Sequence, residues 1–397
     1  MLFLVLFGAS ASVSGLDSDF EAGNGDPIIV YPSLQRIRAK SEQSPKSESS
    51  STQIFRLDLL SAIGNSSRKI DIEANSKLKI HLNGHGCWFA KGCRESIAAL
   101  TICKESSEIQ GFFEQDGTKF ILTHDGSGHI LQTIESATKS RQKRGLLDIE
   151  YEGHFLGGGG LWEKTRKRKD KRGKKAKSKR GEMVCNGPYC EYYEFKPDSP
   201  KWLKLALYVD TSVSDFHGEE LFFRYVLTLV NIVSAVYADP TLAANIQFVV
   251  TRIESVDYRG LIDAGRSKDS LANVNVFNEE RMRALPEAEQ HDVAVWLTRR
   301  DIGGPSGYAP VAGVCDPSRS CALIREEGLS SAFIIAHELG HVLGLSHDGD
   351  AGAGNKCAEE ADEGSVMAPM VGATFRYDSS RLGFFSYSPL TCLKSIL

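Results

Sequence analysis

Six residues near the C-terminus have the types and the spacing of a metal site with its own base: His337, Glu338, His341, Gly344, His347 and Asp348. They stand in the run HELGHVLGLSHD. A chance match at all six positions is far rarer than a lone H-E-x-x-H. The run therefore predicts a zinc site.

The spacing indicates which chemistry the site would perform. Residues four apart lie on one face of a helix, so His337 and His341 can offer two imidazole nitrogens to one ion. Glu338 would reach a water molecule on the metal rather than the metal itself, which suits a general base. Gly344 tolerates positive φ, so the helix can end there and the chain can return His347 as third ligand. With the fourth position open for water, the pattern predicts zinc-dependent hydrolysis of peptide bonds, in which Glu338 hands the proton to the leaving amine.

Two other interpretations of the histidines are open. They could be satisfied residues on a buried helix face, although three histidines in register with Glu338 and Gly344 favour the metal site. The zinc could also be structural, in a non-catalytic matrix-binding module. A structural site is more often closed by cysteine, whereas this one has an open position and an intact base.

Hydrophobic patterns predict the elements that must position these residues. The apolar run at residues 332–336 leads into the histidines and predicts a helix capped by Ser330 or Ser331. LALYVD, IQFVVTRI and VAVWLT predict strands, and the apolar residues 221–238 predict a packed helix. Strands alternating with helices predict an α/β fold with a mixed, mainly parallel, twisted sheet.

At this point the chain resembles a known family. An aspartate after the third histidine, here Asp348, resembles the adamalysin (reprolysin) branch of the metzincins. Residues 307–349, 205–218 and 291–301 are similar to the ADAMTS proteases, and GPSGYAP and VMAPMV most resemble the procollagen amino-propeptidase group. The resemblance implies a metzincin catalytic domain with one catalytic zinc ion. It also implies matrix protein substrates, either procollagen propeptides or, as the alternative, proteoglycan core and other matrix proteins.

The resemblance adds two structural expectations. Residues 364–369 (GSVMAP) resemble the Met-turn of metzincins, which places Met367 beneath the zinc ligands; alone, this methionine would be an ordinary core residue. Residues 307–309 would form an edge strand, where an extended peptide could pair its backbone, or else an ordinary loop.

The cysteines of the catalytic segment depart from the family: Cys315, Cys321, Cys357 and Cys392. The resemblance implies that Cys315 and Cys392 pair and tie the C-terminus to the domain. Cys321 and Cys357 lack their expected partners, since Asn275 and residues 377–380 stand where cysteine would be sought. In an oxidising compartment, we hypothesise that these two pair with each other.

The calcium site of the family is altered as well. There, an acidic residue on the first strand, an aspartate before the third strand and acidic groups after the last cysteine help to bind calcium. Here Asp292 remains, Lys204 replaces the first acid, and Leu393 and Lys394 follow Cys392. Because a lysine ammonium can substitute for the ion, calcium binding is expected to be weak or absent.

The rest of the chain has the pattern of a secreted precursor. Its 397 residues carry a formal net charge of −4, which gives no overall bias towards nucleic acid. Residues 1–15 combine an apolar stretch with small residues and predict a signal peptide, although no Lys or Arg precedes the stretch. No apolar run is predicted to span a membrane. We expect secretion into the extracellular matrix.

The remaining boundaries follow from composition. Residues 16–144 are expected to be a propeptide with a loose lead-in and a mostly β domain, since KLKIHLNG, SIAALTIC and KFILTH alternate with polar stretches. Residues 145–199 are expected to be a Gly-rich and basic linker, and residues 200–397 the catalytic domain.

Three cysteines lie in the predicted β domain: Cys87, Cys93 and Cys103. In a secreted chain they favour one disulfide with one leftover thiol, and a metal cluster with His81 and His85 is the alternative. Asn65 begins a glycosylation sequon, which indicates surface exposure.

Two basic segments look like processing sites. Arg144 ends an Arg-Gln-Lys-Arg sequence that fits furin-type convertases. The basic run at residues 165–180 ends at Arg180, a second candidate; the run could also attract sulfated glycosaminoglycan or be a solvated tail.

Cys185 has two interpretations. Its surroundings, MVCNG, resemble the cysteine switch of related proteases, in which a propeptide thiolate occupies the open zinc position. Cys185 lies after both processing candidates, however, and Cys190 is near enough to suggest a simple disulfide loop.

Overall fold

The structure is a computed structural model that describes residues 28–37, 53–62, 67–80, 86–93, 96–103, 106–125, 128–134, 181–186, 189–194, 200–219, 221–238, 245–314, 316–348 and 365–369. Within these ranges the chain forms a closed β barrel, a two-stranded ribbon and a six-stranded sheet with four helices.

Eight antiparallel strands close the barrel: β1 (Ile28–Ile37), β2 (Ile54–Ser61), β3 (Ser67–Ala74), β5 (Cys87–Gly92), β6 (Ile97–Cys103), β7 (Glu108–Gln115), β8 (Thr118–His124) and β9 (His129–Ile134). Pairing of β1 with β9 completes the closure. Apolar side chains alternate along the strands, as Leu57 and Leu59 do in β2, and fill the interior. We call this unit the N-terminal barrel.

A disulfide joins two neighbouring strands of the N-terminal barrel. Cys87 in β5 faces Cys103 in β6, and the two sulfurs are bonded, while Cys93 is not part of this disulfide. The prediction of one disulfide with one leftover thiol is therefore confirmed. His81, His85 and Asn65 lie outside the described residues.

The two-stranded ribbon consists of β10 (Gly181–Asn186) and β11 (Tyr189–Glu194). The backbone register places Cys185 directly opposite Cys190. Cross-strand neighbours are close enough for a disulfide, so this register is compatible with the disulfide loop, and the choice between that loop and a latency switch stays a prediction.

The second sheet has the order β15-β16-β14-β12-β13-β4. Its strands are β4 (Leu78–Ile80), β12 (Lys201–Asp210), β13 (Ile246–Val256), β14 (Val293–Thr298), β15 (Gly307–Tyr308) and β16 (Cys321–Arg325). All neighbours are parallel except β15, which runs antiparallel to β16 at the edge. The edge strand expected at this position is present. β4 comes from the N-terminal segment of the chain and occupies the opposite edge.

Four helices cover the sheet: α1 (Thr211–His217), α2 (Phe222–Tyr237), α3 (Ser267–Ala284) and α4 (Ser331–Val342). Successive side chains of β12 point to opposite faces of the sheet. Leu205 and Leu207 belong to the core with α2 and α4, whereas Tyr208 belongs to the core with α3. The zinc-motif helix α4 therefore lies on the same face of the sheet as α2 and packs against it.

No single helix among the described residues is long and apolar enough to cross a membrane. Taken together, α1 and α2 would meet that criterion, but only across a bend of 107°.

Candidate metal centre

The helix that carries the motif begins without the predicted cap. Ser330 is the capping residue by position, but its side chain bonds to no backbone amide of the helix. Ser331 Oγ accepts a hydrogen bond from Glu327 N at 2.8 Å instead. The predicted cap is therefore wrong, because Ser331 is committed to the loop that precedes the helix.

The end of α4 is shaped by Gly344, as predicted. Gly344 has φ of 100°, its amide donates to His341 O at 2.8 Å, and Leu345 N donates to Gly340 O at 2.9 Å. This pair of bonds is the Schellman motif, which closes a helix through a residue with positive φ. The chain then turns back and brings His347 to the helix.

Three imidazole nitrogens converge at this turn. Nε2 of His337 lies 3.0 Å from Nε2 of His341 and 3.2 Å from Nε2 of His347, and the last two are 3.1 Å apart. A zinc ion at 2.0–2.1 Å from each tetrahedral nitrogen ligand holds such nitrogens about 3.4 Å from one another. The spacing fits one zinc ion.

The hydrogen bonds on the other side of the rings fix the tautomers. Nδ1 of His337 donates to Val366 O at 2.6 Å, and Nδ1 of His341 donates to Leu345 O at 2.8 Å. Each Nε2 therefore carries a lone pair, and the lone pairs face one another. A shared cation is the chemistry that makes this arrangement favourable.

Electrostatics support the same assignment. Burial first, and the neighbouring histidines second, lower the pKa of His341 to about 4 and that of His337 well below its ordinary value. Both rings are thus neutral at physiological pH, which is the form that binds a metal. Within the described part of the chain, no other trio of His, Cys, Asp or Glu is arranged to hold an ion.

Glu338, the predicted base, is buried next to the first ligand, His337. Its pKa is raised to about 8 by burial, and a cation on the adjacent histidines would oppose that shift. A Cβ on Gly307 would lie 2.5 Å from Glu338 Oε1 and 2.8 Å from Ile334 Cγ2. The backbone of edge strand β15 therefore passes directly beside the base. The sequence did not mark Gly307 as a site residue, because its contact is with a distant segment.

A short strap at residues 365–369 lies against the zinc turn. Asp348 N donates to Met367 O at 2.8 Å, and Ser365 Oγ donates to the Asp348 carboxylate. Val366 O is the acceptor for His337 described above. The aspartate after the third histidine thus acts by holding the strap to the turn.

Met367 is buried and packs against the helix that carries the first two histidines, and the Met-turn role that the resemblance implies for it stays a prediction. A Cβ on Gly340 would come within 2.6 Å of Met367 Sδ. Gly340, which stands between the first two ligands in sequence, lets the methionine pack against the helix. The sequence pattern alone does not indicate this role.

A buried carboxylate fixes the loop that leads into α4. Glu326 accepts hydrogen bonds from Tyr225 Oη, from Arg299 Nη1 at 2.5 Å and from Gly328 N at 2.5 Å. Burial alone would raise the pKa of Glu326, but the nearby His217, the hydrogen bond from Tyr225 and the charge of Arg299 lower it to about 2. This charged group was not singled out from the sequence.

The hypothesis of a Cys321–Cys357 disulfide is wrong. Cys321 is a free, fully buried thiol in β16. Asn275 of α3 accepts from Cys321 N and donates to Cys321 O, both at 2.9 Å. The amide at the position where the family's cysteine would be sought thus binds the backbone of Cys321. Cys315, Cys357 and Cys392 lie outside the described residues.

The residues of the altered calcium site lie side by side. Lys204 N donates to Asp292 Oδ2 at 2.7 Å, and Asp292 N donates to Lys204 O at 2.9 Å. Burial raises the pKa of Asp292 to about 6, against the opposing effects of this hydrogen bond and of the Lys204 charge. Leu393 and Lys394, which follow Cys392, and the processing residues Arg144 and Arg180 lie outside the described residues.

Comparisons with known proteins agree with the motif. The model of Metallo-peptidase family M12 (Reprolysin_5) matches residues 199–379. "A disintegrin and metalloproteinase with thrombospondin motifs 1" of Bombyx mori is 49% identical over 175 residues, 44% of this chain and 17% of that protein. Proteins 14 and 3 of the same series, from Homo sapiens, are 50% and 47% identical, each over 45% of this chain and 15% of the relative.

The chain thus spans less than a fifth of the length of these curated relatives. Among solved structures, the crystal structure of metalloproteinase-II from Bacteroides fragilis aligns with 77% of this chain and 84% of that chain. At 12% identity and a TM-score of 0.42, this likeness bears no weight. The family match and the histidine turn carry the assignment: residues 199–379 match the metallopeptidase domain of family M12 and are similar to the ADAMTS proteins.

Proposed function

We propose that this chain is a secreted zinc endopeptidase that hydrolyses peptide bonds in extracellular matrix proteins, procollagen amino-propeptides among them. One observation carries the proposal: three Nε2 atoms converge within 3.2 Å of one another beside the buried Glu338, in a domain of family M12. The substrate class rests on the resemblance to the procollagen amino-propeptidase group.

The residues divide the catalytic work. When bound by the three histidines, zinc supplies a coordinated water with a pKa of about 7 and polarises the scissile carbonyl. Glu338 accepts the proton of the attacking water and delivers it to the leaving amine. Val366 O and Leu345 O hold the ligand rings in their metal-binding tautomers.

Edge strand β15 orients the substrate. Among the described strands, none pairs with its outer side, so an extended peptide can add there as a further strand. Because Gly307 has no side chain, that peptide can lie close to Glu338. The scissile carbonyl would then be aligned beside the base and the metal.

Secretion and processing complete the proposal. Residues 1–15 would direct the chain to the secretory pathway, where the Cys87–Cys103 disulfide is stable. A furin-type convertase would cut after Arg144, with Arg180 as a second site, and residues 165–180 would attract sulfated glycosaminoglycan.

The decisive experiment compares the wild type with Glu338→Ala in a fibroblast matrix rich in procollagen. New N-termini would be sequenced by mass spectrometry, with the exposed Glu287→Ala as matched control. We expect cuts made by the wild type and the control but not by Glu338→Ala, clustered in procollagen propeptides. Cuts in proteoglycan core would shift the substrate class, and identical N-termini for all three processed proteins would refute the protease.

A further inference from the structure

The N-terminal barrel is joined to the catalytic sheet by a strand. β4, which follows barrel strand β3, pairs in parallel with residues 248–250 of β13, and Phe248 N donates to Lys77 O at 2.9 Å. The ammonium of Lys79 lies 3.8 Å from the centre of the Trp202 ring. A segment from the N-terminal part of the chain therefore completes the sheet edge that would otherwise be open.

A buried amide in α2 is adapted to the barrel. Asn231 is fully buried in the middle of an apolar helix, where an amide without partners is costly. Its Nδ2 donates to Leu100 O at 3.0 Å and to Ala90 O at 3.2 Å, and its Oδ1 accepts from Asn75 Nδ2 at 2.9 Å. Asn75 Nδ2 also donates to Ser234 Oγ at 3.2 Å. All three of these partners of the Asn231 side chain lie on the N-terminal side of the interface.

An ion pair and an aromatic contact extend the interface to the zinc helix. Arg224 Nη1 of α2 lies 2.9 Å from Glu108 Oε2 of β7. Phe112 of β7 packs edge-on against Phe333 of α4, with ring centres 5.1 Å apart. Phe333 precedes the first ligand, His337, by one helical turn. The barrel therefore packs directly against the zinc helix α4.

The barrel and the substrate would use opposite edges of the sheet. β4 lies at one end of the strand order and β15 at the other, with four strands between them. Neighbouring strands are about 4.8 Å apart, which separates the two edges by roughly 24 Å. Occupation of the β13 edge by β4 thus leaves the β15 edge available.

From these contacts we propose that the barrel stays bound after the chain is cut between residues 134 and 181, as a non-covalent subunit of the protease. The proposal rests on the function proposed above only for the natural cut by a convertase after Arg144 or Arg180. Loss of the barrel would strip Asn231 of these partners, open the edge of β13 and uncover Phe333. Shared apolar core, buried hydrogen bonds and a sheet ladder are features of lasting complexes.

The test uses the full chain in the Glu338→Ala background, which prevents self-digestion. A site for a sequence-specific protease replaces residues 165–180, so the result does not depend on a convertase. After cutting and dilution to nanomolar concentration, we expect the two fragments to elute together in size-exclusion chromatography. Elution as two separate species would overturn the proposal.

Interface variants add a quantitative arm. Arg224→Ala is expected to raise the dissociation constant of the cut fragments about tenfold. Glu108→Ala should raise this dissociation constant by a similar factor. In the double variant the fragments should bind no more weakly than in the weaker of the two single variants, because the two residues act as a pair. The matched control is Arg56→Ala, which removes an ion pair of 2.8 Å to Asp71 within the barrel. Equal dissociation constants for Arg224→Ala and the control would count against the interface.

Activity separates this proposal from the proposed function. With the cut wild-type chain, we expect peptidase activity in the fractions that contain both fragments. Activity confined to barrel-free fractions would contradict a retained subunit. Absence of activity in every zinc-loaded fraction would refute the protease, while the elution result would still decide whether the barrel is retained.

Discussion

The two ends of the zinc helix are held in different ways. At the C-terminal end, backbone carbonyls and a glycine with positive φ fix the ligands. At the N-terminal end, side chains from distant elements do the work, through the buried Glu326 carboxylate and the contact between Phe333 and Phe112. We infer that the first end determines metal binding and the second determines the stability of the domain around it.

Two glycines with nearly the same φ allow the sharpest test. Gly344 at the C-terminal end has φ of 100°, and Gly328 ahead of the N-terminal end has φ of 101°. Alanine at either position should cost about 1–3 kcal/mol in backbone strain. Gly344→Ala should also lower zinc affinity about 10–100-fold, because it displaces His347. Competitive zinc titration and thermal unfolding would measure both quantities, and equal zinc affinities for the two variants would abolish the distinction.

Removal of the charge on Glu326 tests the N-terminal end. Glu326→Gln leaves Arg299 and the loop amide without their buried anion, at a cost of about 3 kcal/mol in the free energy of unfolding. Zinc affinity of the folded protein should be unchanged, with Glu287→Gln as the exposed control. Denaturant unfolding would measure the effect, and a large loss of zinc affinity would show that the two ends are not independent.

Glu326 also makes the free energy of unfolding depend on pH. The pKa of Glu326 falls from 4.5 to about 2 on folding, so its stabilising effect is present above pH 4.5 and is lost as the pH falls towards 2. Wild-type stability should therefore fall more steeply over this range than that of Glu326→Gln. Parallel pH profiles of unfolding free energy would contradict this role.

The amide that binds Cys321 predicts a smaller effect. Asn275→Ala removes two hydrogen bonds to buried backbone groups and should cost about 2 kcal/mol. Asn275→Cys should form a disulfide with Cys321 and restore stability, since the resemblance implies a disulfide at this place. Mass spectrometry without reduction would detect the bond, and a free thiol in Asn275→Cys would show that α3 and β16 are too far apart.

Calcium is expected to have the smallest effect. With Lys204 beside Asp292, chelation followed by zinc alone should restore the melting temperature in full. Addition of calcium to the zinc-loaded protein should cause no further shift. A rise in melting temperature that calcium produces and zinc does not would establish a calcium site.

Those parts of the fold that depend on local pattern could be predicted. The motif at residues 337–348 holds ligands, base and helix end within one short segment, and LALYVD, IQFVVTRI and VAVWLT lie within β12, β13 and β14. The contacts of Gly307 with Glu338 and of Tyr225 with Glu326 join distant segments, which periodicity does not reveal. Asn275 and Asn231 are polar residues buried with partners, and in a sequence such residues look like surface.

Cys321 has a consequence for the order of folding. Its sulfur is fully buried, and burial raises the pKa of the thiol, so the reactive thiolate is suppressed in the native state. Before β16 joins the sheet, the same thiol can exchange with the other cysteines of a chain that contains nine. The time at which β16 joins the sheet therefore affects disulfide formation. A chain that pairs β16 late risks mismatched disulfides, whereas a chain that pairs it early buries the Cys321 sulfur and removes it from exchange.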